Sequence, residues 1–367
     1  MRIDRLTLDF FRNYLHVEAQ FDPEVNVICG DNAQGKTNLL EAVGFLSGLS
    51  HRARYDRELI QFGVDHAFLK GEIFARERDF VVEAELHRGQ RKVLRSNGVK
   101  LKTAAELSGI FQSVLFCPED LYLIREGAAA RRKYLDDCIC QLRPRYAQAL
   151  AEYKRLHEHK TRILRDSEEK PSLLDTLDEF SLGMAKAGAV LIHYRAHFIK
   201  RLRQTAPAIH GDFSGGREQL ALHYETVSNV PDPEASPREI FPCLLAHQEA
   251  HRSAEIASRQ CLSGPHKDDL LVEIDGNPAK NYASQGQTRT AALSLKLAAR
   301  EIFQQDTGEY PVLLLDDVLS ELDPKRQEFV LNRIQGGQVF ITCCEDDRLD
   351  RLLGGKIFRI SDGRILK

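Results

Sequence analysis

The stretch Gly30-Asp31-Asn32-Ala33-Gln34-Gly35-Lys36-Thr37 has the spacing G-x-x-x-x-G-K-[ST]. It follows the apolar run Val25 to Cys29 and precedes Leu39, Leu40, Val43 and Leu46 at helical spacing. A strand–loop–helix unit of this kind turns successive backbone N–H groups toward phosphate oxygens. Gly30 and Gly35 let the backbone approach, and a side chain at either would obstruct it. Lys36 is expected to reach the β/γ oxygens and act in catalysis, and Thr37 to ligate Mg²⁺. The helix N-terminus adds partial positive charge. A Gly-rich turn before an ordinary helix is the plain alternative. The loop points to a nucleotide and leaves its use open.

Two further stretches bear on that use. Val312-Leu313-Leu314-Leu315-Asp316-Asp317 is an apolar run ending in two acids. An apolar strand of this kind is buried on both faces, and its C-terminal end would present Asp316 to the loop's Mg²⁺. Asp317, beside the γ-phosphate, would orient the attacking water or accept its proton. Taken alone, the pair also reads as an Asp-Asp turn after a core strand. Ser284-Gln285-Gly286-Gln287 opens the helical pattern Thr288 to Phe303. It offers a hydroxyl, a close-approach glycine and free N–H groups, the makings of a second anion site. A simple helix N-cap is the other reading of Ser284. One triphosphate needs only one such site, so the second is expected to serve a neighbouring copy's ATP. The spacing resembles the signature motif of ABC-type ATPases, in which two heads sandwich two ATP molecules. Ser320-Glu321-Leu322-Asp323 matches their D-loop, which adds Asp323 to the nucleotide-binding set.

The elements that must position these residues follow from pattern. Ile3, Leu6, Leu8 and Phe10, then Val17, Ala19 and Phe21, read as two strands before the strand Val25 to Cys29. Phe68–Phe74 and Phe80–Leu86 alternate, and Asn97-Gly98 marks a tight hairpin. Val114 to Phe116 is a short buried strand. From about Pro118 the pattern turns helical: Ala128 to Arg165, then Leu173 to about Arg203, ended by Pro207 and the loop Gly211 to Gly216. After the Pro-rich Val230 to Pro237, one more helix runs from Arg238 to Gln260. Strand character returns at Leu270–Ile274, Val312–Leu315, Gln338–Thr342 and a last hairpin at Asp362-Gly363. The expected architecture is α/β, a phosphate-loop domain split into 1–117 and 261–367 around a mainly helical lobe, 118–260.

Composition bounds the class. Of 367 residues, 43% are hydrophobic and 29% charged, as in soluble globular proteins. No apolar run is long enough to span a membrane and the N-terminus has no secretory pattern, so the chain is expected in the cytoplasm. Eight cysteines without a Cys-x-x-Cys pair fit a reducing compartment and speak against a zinc site. Cys29, Cys343 and Cys344 lie in apolar runs and are expected to be buried, inert thiols. Net charge is only −3, yet Leu86–Ala105 carries six basic residues and Ser181–Arg203 five, neither with an acid. Such local surfaces suit nucleic acid, although most charge runs merely solvate.

Read end to end, the chain resembles the RecF family of bacterial recombination mediators, relatives of SMC-type head domains. The resemblance rests on Phe11-Arg12-Asn13-Tyr14, Gly35 to Ala42, Pro118-Glu119 with Leu123-Ile124, Arg131 to Asp136, Gly264-Pro265-His266-Lys267-Asp268-Asp269 and Leu315 to Asp323. Glu126 and Ala128 stand where the family usually has Gly and Pro. Thr342-Cys343-Cys344 stands where ABC transporters carry a switch His, so sensing of the γ-phosphate by a His is not supported. The resemblance implies an ABC-type ATPase head fold and an ATP-dependent homodimer. It further implies DNA binding at double-strand/single-strand junctions, action with RecR and RecO, and help in loading RecA during replication, gap repair and the SOS response. The activity implied is a slow, DNA-stimulated ATPase, since Asp317 is one methylene shorter than the Glu of many ABC enzymes. Two other classes fit the nucleotide motifs: a transporter's nucleotide-binding subunit, and an SMC-like scaffold that binds ATP with little hydrolysis. The basic helical insertion and the missing switch His speak against the first, and the two acids speak against the second.

Overall fold

The computed structural model describes residues 1–48, 53, 55–319, 322–344 and 355–366. The chain opens with β1 (Arg2–Phe11), β2 (Tyr14–Gln20), β3 (Val25–Cys29) and α1 (Lys36–Phe45). There follow β4 (His66–Ala75), β5 (Arg78–His87), β6 (Val93–Ser96), β7 (Val99–Lys100), α2 (Ala105–Ser108) and β8 (Ser113–Phe116). The middle holds α3 (Tyr122–Arg125), α4 (Ala128–Leu142), α5 (Pro144–Asp166), α6 (Leu177–Ser214), β9 (Leu220–Glu225) and α7 (Pro237–Ser258). Next come β10 (Asp269–Ile274), β11 (Asn277–Pro278), α8 (Ala279–Tyr282) and α9 (Gln285–Thr307). The chain closes with β12 (Val312–Leu315), α10 (Pro324–Arg333), β13 (Val339–Cys343), β14 (Lys356–Ser361) and β15 (Arg364–Leu366). It divides into two compact units, 1–120 with 296–367, and 121–295.

Among the described residues, the first unit contains two six-stranded sheets. One is antiparallel throughout, in the order β2-β1-β4-β5-β6-β7. The alternation read in the sequence becomes alternate burial: Leu6, Leu8, Leu69, Ile73, Val82 and Ala84 all point into the core. Asn97 and Gly98 take φ of 48° and 77°, the positive angles a two-residue hairpin requires. The other sheet, β15-β14-β3-β13-β12-β8, is parallel except for the antiparallel edge strand β15. Every residue of β12 and β13 is buried, which is why both read as unbroken apolar runs. One apolar cluster joins the two sheets through α1, with Phe21 stacked edge-on against Phe340 and Phe358. A side chain such as Phe340, wholly buried, contributes about 1.5–3 kcal/mol by leaving water. β3, β13 and β12 end side by side at their C-terminal ends, where open parallel sheets hold ligands.

The second unit runs from Leu121 to Leu295, past the expected 260. The reason is strand pairing: β10 lies antiparallel on β9, so the segment after 260 belongs to a small sheet, β11-β10-β9, with residues 220–225. That strand was hidden in a stretch whose surroundings are helical. Two helical expectations also change. The predicted Ala128–Arg165 stretch is two helices, broken at Arg143-Pro144, where proline opens α5. Pro207 does not end its helix; α6 continues to Ser214 and stops at Gly215, whose φ of 64° makes the left-handed cap. α6 and α7 bury Ala185, Ala189 and Ile192 against Ile240 and Leu244.

Candidate functional site

The phosphate loop leaves β3 at Gly30 and enters α1 at Lys36. Gly30 has φ 151°, and a Cβ there would lie 2.4 Å from the Ile360 carbonyl oxygen. Gly35 has φ 118°, and its Cβ would lie 2.6 Å from Asn13 Nδ2. Both positions therefore need glycine for conformation and for space. The rest of the loop is held from outside. Asn13 Nδ2 donates to the Gln34 carbonyl at 2.9 Å, Asn38 Nδ2 donates to Asn13 Oδ1 at 2.8 Å, and Tyr14 Oη donates to the Gly35 carbonyl at 2.9 Å. Burial holds the Tyr14 phenol well above its ordinary pKa, so it stays a donor. The β14–β15 turn adds N–H bonds from Asp362 to the Gln34 side chain and from Gly363 to the Gln34 carbonyl. Arg12 clasps Glu41 of α1 through two N–H bonds of 2.8 and 2.9 Å. Asp31, Asn32 and Ala33 remain exposed at the tip. Lys36 is only 4% exposed and lies over the loop, Nζ donating to the carbonyls of Gly30 at 2.6 Å and Asp31 at 3.1 Å.

The acids at the end of β12 meet this loop. Thr37 Oγ1 donates to Asp316 Oδ1 at 2.9 Å. Adjacent oxygens on an octahedral Mg²⁺ at 2.0–2.1 Å stand about 2.9 Å apart, so this hydroxyl–carboxylate pair fits the ion's donor chemistry and size. Asp317 is half-buried and has φ 53°, a left-handed conformation that side chains other than glycine rarely adopt. Its N–H donates to Thr342 Oγ1 at 2.8 Å, and Thr342 in turn donates to Asp316 Oδ1 at 2.9 Å. Thr342 is next to last in β13 and entered the sequence reading only as part of the stretch that stands in place of a switch His; a hydroxyl near the end of an otherwise apolar strand was the signal for a further role. Cys344 corrects an expectation. Cys29 and Cys343 are buried, as expected, with sulfurs 3.2 Å apart, but Cys344 lies beyond the strand end and is exposed. Its sulfur stands 3.4 Å from Asn32 Oδ1 and 3.9 Å from Lys36 Nζ.

The signature stretch belongs to the second unit. Ser284 is exposed and caps α9: Gln287 N–H donates to Ser284 Oγ at 3.2 Å, and Ser284 N–H donates to Gln287 Oε1 at 2.8 Å. This reciprocal pair is a capping box, so the N-cap reading of Ser284 describes this chain by itself. Gln285 is exposed and Gly286 half-buried. Asp323 caps α10, accepting from Arg326 N–H at 3.1 Å and Arg326 Nη1 at 2.6 Å. The backbone N–H of Arg326, then its guanidinium, hold the Asp323 carboxyl below its ordinary pKa. Ser320 and Glu321 lie outside the described residues.

The basic runs sort into committed and exposed cations. Lys92 pairs with Asp56 at 2.9 Å and Arg95 with Glu85 at 2.5 Å, and Arg88 donates to the Gln61 and Val64 carbonyls. Arg195 is 2% exposed and binds Asp136, the Tyr146 hydroxyl and the Pro265 carbonyl, so it is a core residue and leaves the set of candidate DNA contacts. Arg131 forms a buried two-bond pair with Asp269 at 2.6 and 2.7 Å. Arg91, Lys100, Lys102 and Lys186 face water. No helix among the described residues is long and apolar enough to cross a membrane.

Comparison with known proteins bears on the family and the fold. Residues 2–361 match the model of the RecF/RecN/SMC N-terminal domain. The DNA replication and repair protein RecF of Clostridium acetobutylicum is 38% identical over 368 residues, spanning 100% of this chain and 99% of its own. That of Agathobacter rectalis is likewise 38% identical, with the same coverage. Among solved structures, the recombination mediator protein RecF with ATP, of the RecFOR pathway, superposes with a TM-score of 0.91 at 34% identity, covering 100% of this chain and 97% of that one. An Smc head domain from Pyrococcus furiosus, 17% identical with a TM-score of 0.56 over 99% of this chain and 95% of its own, shares the fold. The fold is thus the expected ABC-type ATPase head with an insertion, and the chain belongs to the RecF family.

Proposed function

We propose that this chain is an ATP-dependent recombination mediator whose grip on DNA is set by nucleotide. The observation that carries the reading is the junction of Thr37 and Asp316 at 2.9 Å beneath a phosphate loop braced by Asn13 and Tyr14. Lys36 would leave the loop carbonyls for the β/γ oxygens of ATP, while Thr37 and Asp316 would hold Mg²⁺, which would supply charge neutralisation for the phosphates. Asp317 orients the attacking water and accepts its proton. The exposed face of the loop, Asp31 to Ala33, lies open to a second copy. Ser284, Gln285, Gly286, Gln287 and Asp323 of that copy would complete the site, and hydrolysis would release the dimer.

By kinship, the DNA bound in this cycle is a double-strand/single-strand junction, with RecR and RecO as partners and RecA loading at gaps as the outcome, in the cytoplasm. Turnover is slow and DNA-stimulated, below the roughly 10 s⁻¹ of a median enzyme. The test is sedimentation with and without ATP, alongside DNA binding across a salt series. Wild type is expected to dimerise with ATP and to bind DNA with an ATP-dependent affinity that falls steeply with salt. Lys36→Ala should lose both responses. A Lys36→Ala chain that dimerises with ATP refutes the assignment, and DNA binding indifferent to ATP refutes the clamp.

A further inference from the structure

We propose that Thr342 is a positioning residue of the hydrolytic site, one hydroxyl that sets both carboxylates of the Asp316-Asp317 pair; this rests on the ATPase reading above. β13 runs between β3, which leads into the phosphate loop, and β12, which ends at Asp316. Thr342 pairs with Ile28 in that register, so its backbone is fixed at the shared C-terminal edge of the three strands. The side chain is 1% exposed. Its neighbours Val339, Phe340, Ile341 and Cys343 are buried too, and a valine of the same shape would suit the strand. The hydroxyl instead makes two bonds of opposite sense.

As acceptor it takes the N–H of Asp317 at 2.8 Å, at the residue whose φ is 53°. That bond holds the backbone in a conformation aspartate adopts reluctantly, and so aims the Asp317 side chain. As donor it gives its proton to Asp316 Oδ1 at 2.9 Å. The same oxygen receives Thr37 Oγ1 at 2.9 Å, so two threonines bracket the carboxylate that would hold Mg²⁺. Outer hydrogen bonds of this kind fix the orientation of a metal-binding carboxylate and are typically worth 10–100-fold in affinity or activity. Asp317 Oδ1 lies 3.4 Å from the same hydroxyl, so both acids are within its reach.

The test compares Thr342→Val, Thr342→Ala and Thr342→Ser with wild type. Three measurements are made: ATP turnover, the Mg²⁺ dependence of fluorescent-nucleotide binding, and the melting temperature without nucleotide. Valine and alanine should lower kcat about 10–100-fold and raise the Mg²⁺ midpoint several-fold. Serine, which keeps the hydroxyl, should restore both to near wild type. Nucleotide binding in EDTA should be the same in all four chains. If valine leaves kcat and the Mg²⁺ midpoint unchanged, or if serine fails as badly as valine, the proposal is overturned. A wild type without turnover would refute the ATPase reading by itself, and the Mg²⁺ midpoint would still decide the role of Thr342.

Discussion

Asn13 and Gly35 meet so closely that a methyl group on the glycine would collide with the asparagine amide. Asn13 thus braces the phosphate loop from 21 residues away along the chain, through the Gln34 carbonyl. Removing it in Asn13→Ala frees one loop carbonyl and the Asn38 side chain. At about 1 kcal/mol for such a loss, ATP binding should weaken roughly five- to tenfold while the fold is kept. Titration with a fluorescent ATP analogue checks this, and unchanged affinity would show that the loop holds itself. Residue by residue, Gly30 to Thr37 and Asp316-Asp317 were legible because their chemistry imposes a local spacing. Asn13, Tyr14 and Thr342 have no local rule to obey. Their partners lie on other strands, so a fixed block such as Phe11 to Tyr14 could be noticed but given no role.

Among elements, those with both a period and a boundary signal were legible. β12 falls where the apolar run placed it, and the last hairpin turns at Asp362-Gly363. β9 was missed because six residues between a long helix and a Pro-rich loop carry little pattern, and its pairing with β10 is a long-range fact. Pro207 misled because a local rule was overridden: packing along α6 carries the helix through a residue that gives no N–H bond and crowds the preceding turn. Pro207→Ala should therefore stabilise the chain by about 1–2 kcal/mol, after allowance for the looser unfolded chain. Thermal melting reads this directly, and a lower melting temperature would mean that the ring itself packs. Ser284 poses a sharper question, because its hydroxyl caps α9 and is also proposed to meet a second copy's nucleotide. Ser284→Ala removes both roles and should cost about 1 kcal/mol of stability. Ser284→Asp keeps a good cap but sets a negative charge toward the γ-phosphate. Both variants should lose the ATP-dependent dimer, and only alanine should melt earlier. An aspartate variant that dimerises with ATP would leave Ser284 a cap and nothing more.

At the scale of the whole molecule, the division at 121 and 295 puts the Gly264–Asp269 stretch inside the second unit, where it is pinned by buried polar contacts. Arg131 grips Asp269, Arg195 reaches the Pro265 carbonyl, and Tyr224 donates to Asp268. The sequence marked this stretch only through family likeness, since Arg131, Arg195 and Tyr224 all lie far from it in the chain. His266 makes it sensitive to acid. Its Nε2 faces the Cys261 carbonyl at 3.1 Å and must donate there, so Nδ1 accepts from Tyr153 Oη at 2.7 Å. Burial is the main reason its pKa falls to about 3 from the ordinary 6.5 of histidine, with His157, Lys267 and Arg132 adding repulsion. Between those two values the unfolded chain binds a proton that the folded chain refuses, so stability is full above about pH 6.5 and declines as pH falls. At pH 5.5 the loss from this residue is about 1.4 kcal/mol. His157 and His247, both lowered chiefly by burial, act in the same direction. Asp268 has the opposite sign, since burial raises its carboxyl and acid relieves it. Comparing wild type with His266→Gln isolates the histidine, because Asp268 is present in both. The variant should be less stable at pH 7.5, having lost the ring's paired bonds, yet its melting temperature should fall less between pH 7.5 and 5.5. Equal slopes in the two chains would mean that His266 takes up its proton in the folded state and that the Tyr153 bond does not fix its neutral form.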